Sequence, residues 1–250
     1  MRSRRANSRS VALLGMAGRF PGAADVDAFM DNLGAGVDSV GEVPPERWDN
    51  ARWYAAERGA ANRSVSKWLG AMAGIERFDA RFFGIAPRTA AAMDPQQRVL
   101  LETVWHCLED AAVTPARLAA ARTAVFVGTM ATDYLQILGD RRLPIEAAGP
   151  LNSYGFSLAN RISHVLGLGG QSNSVDAACA SSLVALHQAR QALLAGDCDY
   201  ALVAGVSLNL DPWKYVGFSR AGMLSPSGRC RTFDVGADGW AHFDHVRMPD

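Results

Sequence analysis

Short apolar runs alternate along the chain with stretches of helical periodicity. Val11-Ala-Leu-Leu-Gly15-Met is apolar throughout and stops at glycine, which predicts a buried strand. Gly18-Arg-Phe-Pro-Gly22 reads as a turn. Asp25 is placed to cap a helix whose inner face carries Val26, Phe29, Met30 and Leu33. Val43 to Arg63 mixes prolines, aromatics and both charges and predicts an irregular surface excursion. Asp94 and Pro95 suit the cap and first turn of a helix that reaches about Ala112. Val99, Leu100, Thr103, Val104, Cys107 and Leu108 form its apolar stripe, and His106, next to Cys107, falls on another face. Thr123 to Gly128 predicts a second buried strand, Thr129 to Gly149 is polar and variable, and Tyr154 to Val165 predicts a helix ending near Gly167. Tyr200 to Val206 is a third continuous apolar strand. Strand, helix, strand, helix, strand predicts an α/β fold with a covered sheet.

The stretch Ser174-Val-Asp-Ala-Ala-Cys179-Ala-Ser-Ser-Leu-Val-Ala-Leu-His187-Gln-Ala-Arg190 changes the picture from fold to chemistry. It opens as a strand, turns at small residues and continues as a helix, with Leu183, Leu186, Ala189, Arg190 and Leu193 at helical spacing. Cys179 stands where the helix begins. Unpaired N–H groups at a helix start carry partial positive charge, which favours a thiolate over a thiol. Ala177, Ala178, Ala180, Ser181 and Ser182 leave room for a substrate. Cys179 is therefore a candidate covalent acyl carrier. A buried structural cysteine is the competing reading.

Composition narrows the classes. The 250 residues are 49% hydrophobic and 20% charged, an ordinary globular balance. Equal counts of 25 basic and 25 acidic residues give no basic field for nucleic acid or a membrane surface. No apolar run approaches the roughly 20 residues of a membrane span. Cys107, Cys179, Cys198 and Cys230 are widely spaced, which argues against a disulfide framework or structural zinc and for a reducing, cytoplasmic setting. The arginine-rich residues 1–10 are expected to be a disordered lead-in rather than a secretory signal.

Five stretches, in order, resemble the ketosynthase domain of modular type I polyketide synthases, within the thiolase-like β-ketoacyl synthases. They are Val11-Ala-Leu-Leu-Gly-Met-Ala-Gly-Arg-Phe-Pro-Gly22, then Phe78-Asp-Ala-Arg-Phe-Phe-Gly-Ile-Ala-Pro87 with Met93-Asp-Pro-Gln-Gln-Arg98, then Val175-Asp-Ala-Ala-Cys-Ala-Ser-Ser-Leu183, Phe218-Ser-Arg-Ala-Gly-Met-Leu-Ser-Pro226 and Cys230-Arg-Thr-Phe-Asp234. The resemblance covers residues 11–239, the amino-terminal domain, and leaves 240–250 as a divergent tail. It implies the layered αβαβα fold, present as an amino-terminal half with an incomplete carboxyl-terminal half. It implies that Cys179 takes an acyl chain from a carrier-protein thioester for decarboxylative Claisen condensation. It places Phe218 beside the acyl pocket, where an ordinary core phenylalanine is the alternative. It implies a homodimer, an acyl carrier protein as partner, and substrates carried on that partner's phosphopantetheine, with no cofactor of the chain's own.

In that family two histidines, with a lysine nearby, stabilise the enolate from the second half. The five histidines here are His106, His164, His187, His242 and His245. His187 lies eight residues along the cysteine's helix, about 12 Å away at 1.5 Å per residue, beyond the reach of a base. The chain alone is thus expected to load an acyl group without completing condensation. A non-catalytic fragment that binds a partner ketosynthase or carrier protein is the main alternative, and a cysteine thioesterase is another. Asp234 to His245 lacks calcium ligands at two loop positions, and His242 with His245 is too sparse for a zinc site, so no metal is expected.

Overall fold

The computed structural model describes residues 10–130, 133–140 and 153–248. The expected lead-in falls outside these, except for Ser10. In chain order the elements are β1 (Gly18–Arg19), α1 (Val26–Gly34), β2 (Gly41–Glu42), α2 (Asn50–Trp53), β3 (Trp68–Gly70), α3 (Pro87–Ala92), α4 (Pro95–Asp110), α5 (Pro115–Ala119) and β4 (Thr123–Gly128). There follow α6 (Asp133–Asp140), α7 (Phe156–Leu166), β5 (Ser172–Val175), α8 (Ser181–Ala195), β6 (Tyr200–Ser207), α9 (Trp213–Arg220), β7 (His242–Phe243) and β8 (His245–Arg247).

Five strands form the main sheet in the order β1-β8-β6-β4-β5, with β5, β4 and β6 parallel. The alternation along β4 shows why it is apolar throughout. Val125 and Val127 join Val99, Leu100, Leu158 and Ile162 of α4 and α7 on one face. Ala124 and Phe126 join Ala185, Ala189 and Ala192 of α8 on the other. Both faces are covered, so neither can be polar. The result is helix, sheet, helix. A smaller sheet, β2-β3-β7, backs a third cluster of Val43, Trp48, Leu69, Tyr215 and Leu224.

The start and stop signals of the long helices hold. Asp94 caps α4 by accepting from Gln96 N at 2.8 Å, and Asp25 caps α1 by accepting from Ala28 N at 2.8 Å. The stripe of α4 is buried, with Cys107 inside and His106 outside against Glu109. Gly167 ends α7 in the left-handed conformation.

Four expectations need correction. Val11 to Met16 form no strand, and Val11, Leu13 and Leu14 are exposed. The reason is register: β8 pairs Gly18 with Arg247, and residues before Ala17 meet no strand among the described residues. Met30 and Leu33 of α1 are exposed, because only Phe29 finds a partner, stacking on Phe20 at 4.1 Å. Val43 to Arg63 is a surface excursion only in part: Val43 and Trp48 are core, while residues 56–59 and 61–63 are exposed. The leucine stripe expected on α8 is displaced, with Leu183 and Arg190 exposed while Ser181, Ala185, Ala189 and Ala192 are buried. Small side chains face the sheet because the helix lies close against it.

Residues 242–248, within the divergent stretch, join both sheets. His245–Arg247 supplies the strand between β1 and β6. Asp244 is fully buried and accepts from Asn209 N at 2.8 Å, Asn209 Nδ2 at 3.0 Å, Met72 N at 3.1 Å and Arg47 at 2.7 Å. This carboxylate ties the tail to the loop after β3 and to the segment after β6.

Candidate active site

β4, β5 and β6 run parallel, and their carboxyl ends meet at one place. Gly128 pairs with Val175 on one side and with Gly205 on the other. The chain leaves β5 at Val175 and turns into α8 over these two glycines. A Cβ on Gly128 would lie 2.5 Å from Ser182 N, and one on Gly205 would lie 2.9 Å from Ser182 Cβ. The absence of side chains at both positions lets the first turn of α8 rest on the sheet. Gly128 was legible as the end of one apolar run and Gly205 as part of another, but their closeness to one serine was not.

The turn is held by its own polar groups. Asp176 Oδ1 accepts from Ala178 N at 3.0 Å. Ser181 Oγ accepts from Ala177 N at 2.9 Å and donates to Ala178 O at 2.6 Å. Ala178 is left in the left-handed region at φ 51°, a strained conformation for a residue with a Cβ. Cys179 follows it, exposed, one residue before the Ala180 cap of α8. Behind the turn, Ser174 Oγ accepts from Ala159 N at 3.3 Å and Ser163 bonds Ser172 at 2.9 Å, which fixes β5 to α7.

Gly128→Ala is expected to push the α8 start off the sheet. The obstruction is backbone, so relief requires moving the helix, at a cost of about 1–3 kcal/mol. Iodoacetamide labelling of Cys179 and urea unfolding should both change more in Gly128→Ala than in Gly205→Ala, where only a serine side chain must move.

The other thiols differ in kind. Burial pushes Cys107 up to about 11, with the charge of Asp110 adding to it. Burial also raises Cys198. Cys230 is exposed but lies outside any helix or strand.

The histidines are dispersed. His106 is exposed beside Glu109, and His187 is exposed along α8. His164 lines a cavity of about 350 Å³ with Phe83, Thr89 and Arg161, a set that does not include Cys179. His242 packs on Tyr215 at 4.6 Å and Phe218 at 5.5 Å. Burial lowers it to about 4, helped by the charge of Lys214, and burial also lowers His245. Phe218 is half-buried in α9, where its ring contacts are Trp240 at 5.4 Å and His242. The structure thus brings Phe218 to the small sheet. No ring contact, hydrogen bond or ion pair joins Cys179 to Phe218 or to a histidine among the described residues.

Two buried groups give opposite pH responses. Burial raises Asp94 to about 6. Between pH 3.8 and about 6 the folded chain holds a proton that the unfolded chain has lost, so this group favours folding at low pH. His242 works in reverse between 6.5 and about 4: the unfolded chain takes up the proton first, and stability falls with pH. Asp94→Asn keeps a capping oxygen and cannot ionise. Its stability relative to wild type, from urea unfolding, is expected to improve by about 2 kcal/mol between pH 4 and pH 8.

The helix–sheet–helix stack matches the thiolase-like fold of polyketide ketosynthase structures. The chain belongs to the β-ketoacyl synthases: the family profile described as "Beta-ketoacyl synthase, N-terminal domain" matches residues 8–242. Polyketide synthase ThaG of Burkholderia thailandensis is 44% identical over 96% of the chain. The oxazolomycin ketosynthase domain of Streptomyces albus superposes on 94% of the chain with a TM-score of 0.88 and 39% identity. The module 6 ketosynthase of the bacillaene synthase from Bacillus subtilis superposes on 94% with a TM-score of 0.84 and 36% identity. The chain spans 4% of ThaG, 40% of the oxazolomycin ketosynthase chain and 39% of the bacillaene one. It is the amino-terminal portion of a polyketide ketosynthase fold. Among the described residues no helix is long and apolar enough to cross a membrane.

Proposed function

We propose that the chain is the nucleophile-bearing portion of a polyketide ketosynthase and accepts an acyl group on Cys179. The Cys179 thiolate attacks the carbonyl carbon of an acyl thioester. A new C–S bond forms, the old one breaks, and the departing pantetheine thiolate takes up a proton. The observation that carries this reading is the exposed position of Cys179 at the start of α8, inside the family match. The donor is an acyl carrier protein with its phosphopantetheine arm, the setting is cytoplasmic, and the working form is a homodimer. Phe218 serves the acyl chain once the pocket is complete.

Condensation needs donors aimed at a developing enolate. No described histidine contacts Cys179, so this portion alone loads without condensing. One observation favours the non-catalytic alternative: residues 176–180 are all exposed among the described residues. Incubation with an acyl-pantetheine thioester, followed by intact and peptide mass analysis, distinguishes the readings. An adduct on Cys179, without product when malonyl thioester is added, supports loading. Equal modification of exposed Cys230 supports an inert fragment, and release of free acid without an adduct supports a thioesterase.

A further inference from the structure

Among the described residues two alanines adopt positive φ, for different reasons. Ala112, at φ 50°, follows the carboxyl end of α4, where a left-handed residue is an ordinary way for a helix to stop. Ala178, at φ 51°, precedes α8, where no helix needs stopping, and it comes one residue before Cys179. The hydrogen bonds around Ala178 converge on Ser181. The N–H and the hydroxyl of Ser181 both donate to Ala178 O, at 3.1 and 2.6 Å. That oxygen belongs to the peptide plane joining Ala178 to Cys179, so the plane is fixed. Ser181 Oγ also accepts from Ala177 N at 2.9 Å, which fixes the plane entering Ala177.

Ser181 itself cannot shift. It is 5% exposed, and a Cβ on Gly128 beneath it would come within 2.6 Å of Ser181 C. Its hydroxyl therefore works from the sheet, whereas Asp176, whose Oδ1 holds Ala178 N, is exposed to water. Nor does Ser181 cap its helix. Ala180 occupies the cap with no side-chain bond, and the serine stands one residue further in, bonded back along the chain.

We propose that Ser181 is a positioning residue for acyl loading at Cys179, a role that rests on the function proposed above: its hydroxyl holds Ala178 left-handed and thereby sets where Cys179 presents its sulfur. Without the hydroxyl, alanine favours right-handed backbone over left-handed by a factor of about 5–30. Moving φ from 51° to the right-handed region rotates the chain that follows by about 110°. Cys179 is then carried away from the line of attack on a bound thioester, and rates depend steeply on that alignment. A small alkylating reagent makes no such demand, because it reaches an exposed sulfur from many directions.

The test compares the 250-residue chain with Ser181→Ala and with Ser181→Ala combined with Ala178→Gly. Loading from a saturating acyl-pantetheine thioester is expected to slow about 5–30-fold in Ser181→Ala, with iodoacetamide labelling of Cys179 little changed. Glycine occupies the left-handed region without penalty, so the double variant should return to within about threefold of wild type. Recovery through a change that adds no contact is an outcome that a general loss of stability would not produce. The backbone is read separately, from the Cα and Cβ chemical shifts of Ala178 in chain isotope-labelled at alanine: left-handed in wild type, right-handed in Ser181→Ala. Left-handed shifts persisting in Ser181→Ala, undiminished loading, an equal fall in iodoacetamide labelling, or no recovery in the double variant would overturn the proposal. A wild type that accepts no acyl group would overturn the loading function instead, while the Ala178 shifts would still decide whether Ser181 holds the turn.

Discussion

Cys179→Ala is expected to abolish the acyl adduct, with loading from an acyl-pantetheine thioester falling more than about 10³-fold. The step consists of one sulfur attacking one carbonyl, and no neighbouring group can replace the sulfur. Cys107 is buried and its thiol is held protonated, Cys198 is buried, and Cys230 lies in a separate loop. Cys179→Ser should be nearly as inactive, because a hydroxyl without a base is a far weaker nucleophile than a thiolate. Intact mass analysis after incubation reads both. Urea unfolding should barely distinguish either variant from wild type, since the side chain is exposed and closes no core. Full adduct formation by Cys179→Ala, located on another cysteine, would remove the proposed function.

Asp244→Ala is expected to lower stability by about 3–5 kcal/mol, the usual cost of leaving one partner of a buried ion pair uncompensated. Arg47, 8% exposed, would lose its only carboxylate among the described residues. Asn209 N and Met72 N would lose their acceptor at the same time. A loss of that size is a large fraction of the 5–15 kcal/mol that holds a typical domain. β8 lies within three residues of Asp244, so the loss reaches the main sheet. Replacing both charges, Arg47→Met with Asp244→Leu, should recover part of the deficit, because apolar groups there need no partners. Urea midpoints of the single and double variants measure both effects. A change below about 1 kcal/mol in Asp244→Ala would mean that water already reaches the pair.

Much of this was readable along the chain. Val125 and Val127 alternate with Ala124 and Phe126, and such a run fits only a strand covered on both faces. Asp94-Pro95 and Gly167 punctuate their helices by local chemistry that needs no distant partner. The Cys179 motif is local in the same way: strand, small-residue turn and helix lie within twenty residues.

What failed in the sequence reading depended on distant partners. Val11 to Leu14 are as apolar as β4, but a strand exists only where a ladder partner lies beside it, and among the described residues none pairs with them. Leu183 and Leu186 looked like the inner face of α8. Leu186 does pack against the α8 side of the sheet, half-buried, but Gly128 and Gly205 bring the helix so close that the fully buried positions go to Ser181 and alanines while Leu183 stays exposed, and those glycines sit 77 residues apart in the chain. Asp244 lies in the stretch read as a divergent tail, and nothing near it in sequence indicates Arg47 or Asn209.

By itself, then, the sequence determined most element types, the caps and the placing of Cys179 at a strand-to-helix turn, because each of these follows from contacts within a few turns of backbone. Only the tertiary structure decided which apolar runs are covered, how close α8 lies to the sheet, and that a charged residue near the chain's end is a core fastening. Those outcomes are set by groups that meet only after the chain has folded, and spacing along the chain carries no record of them.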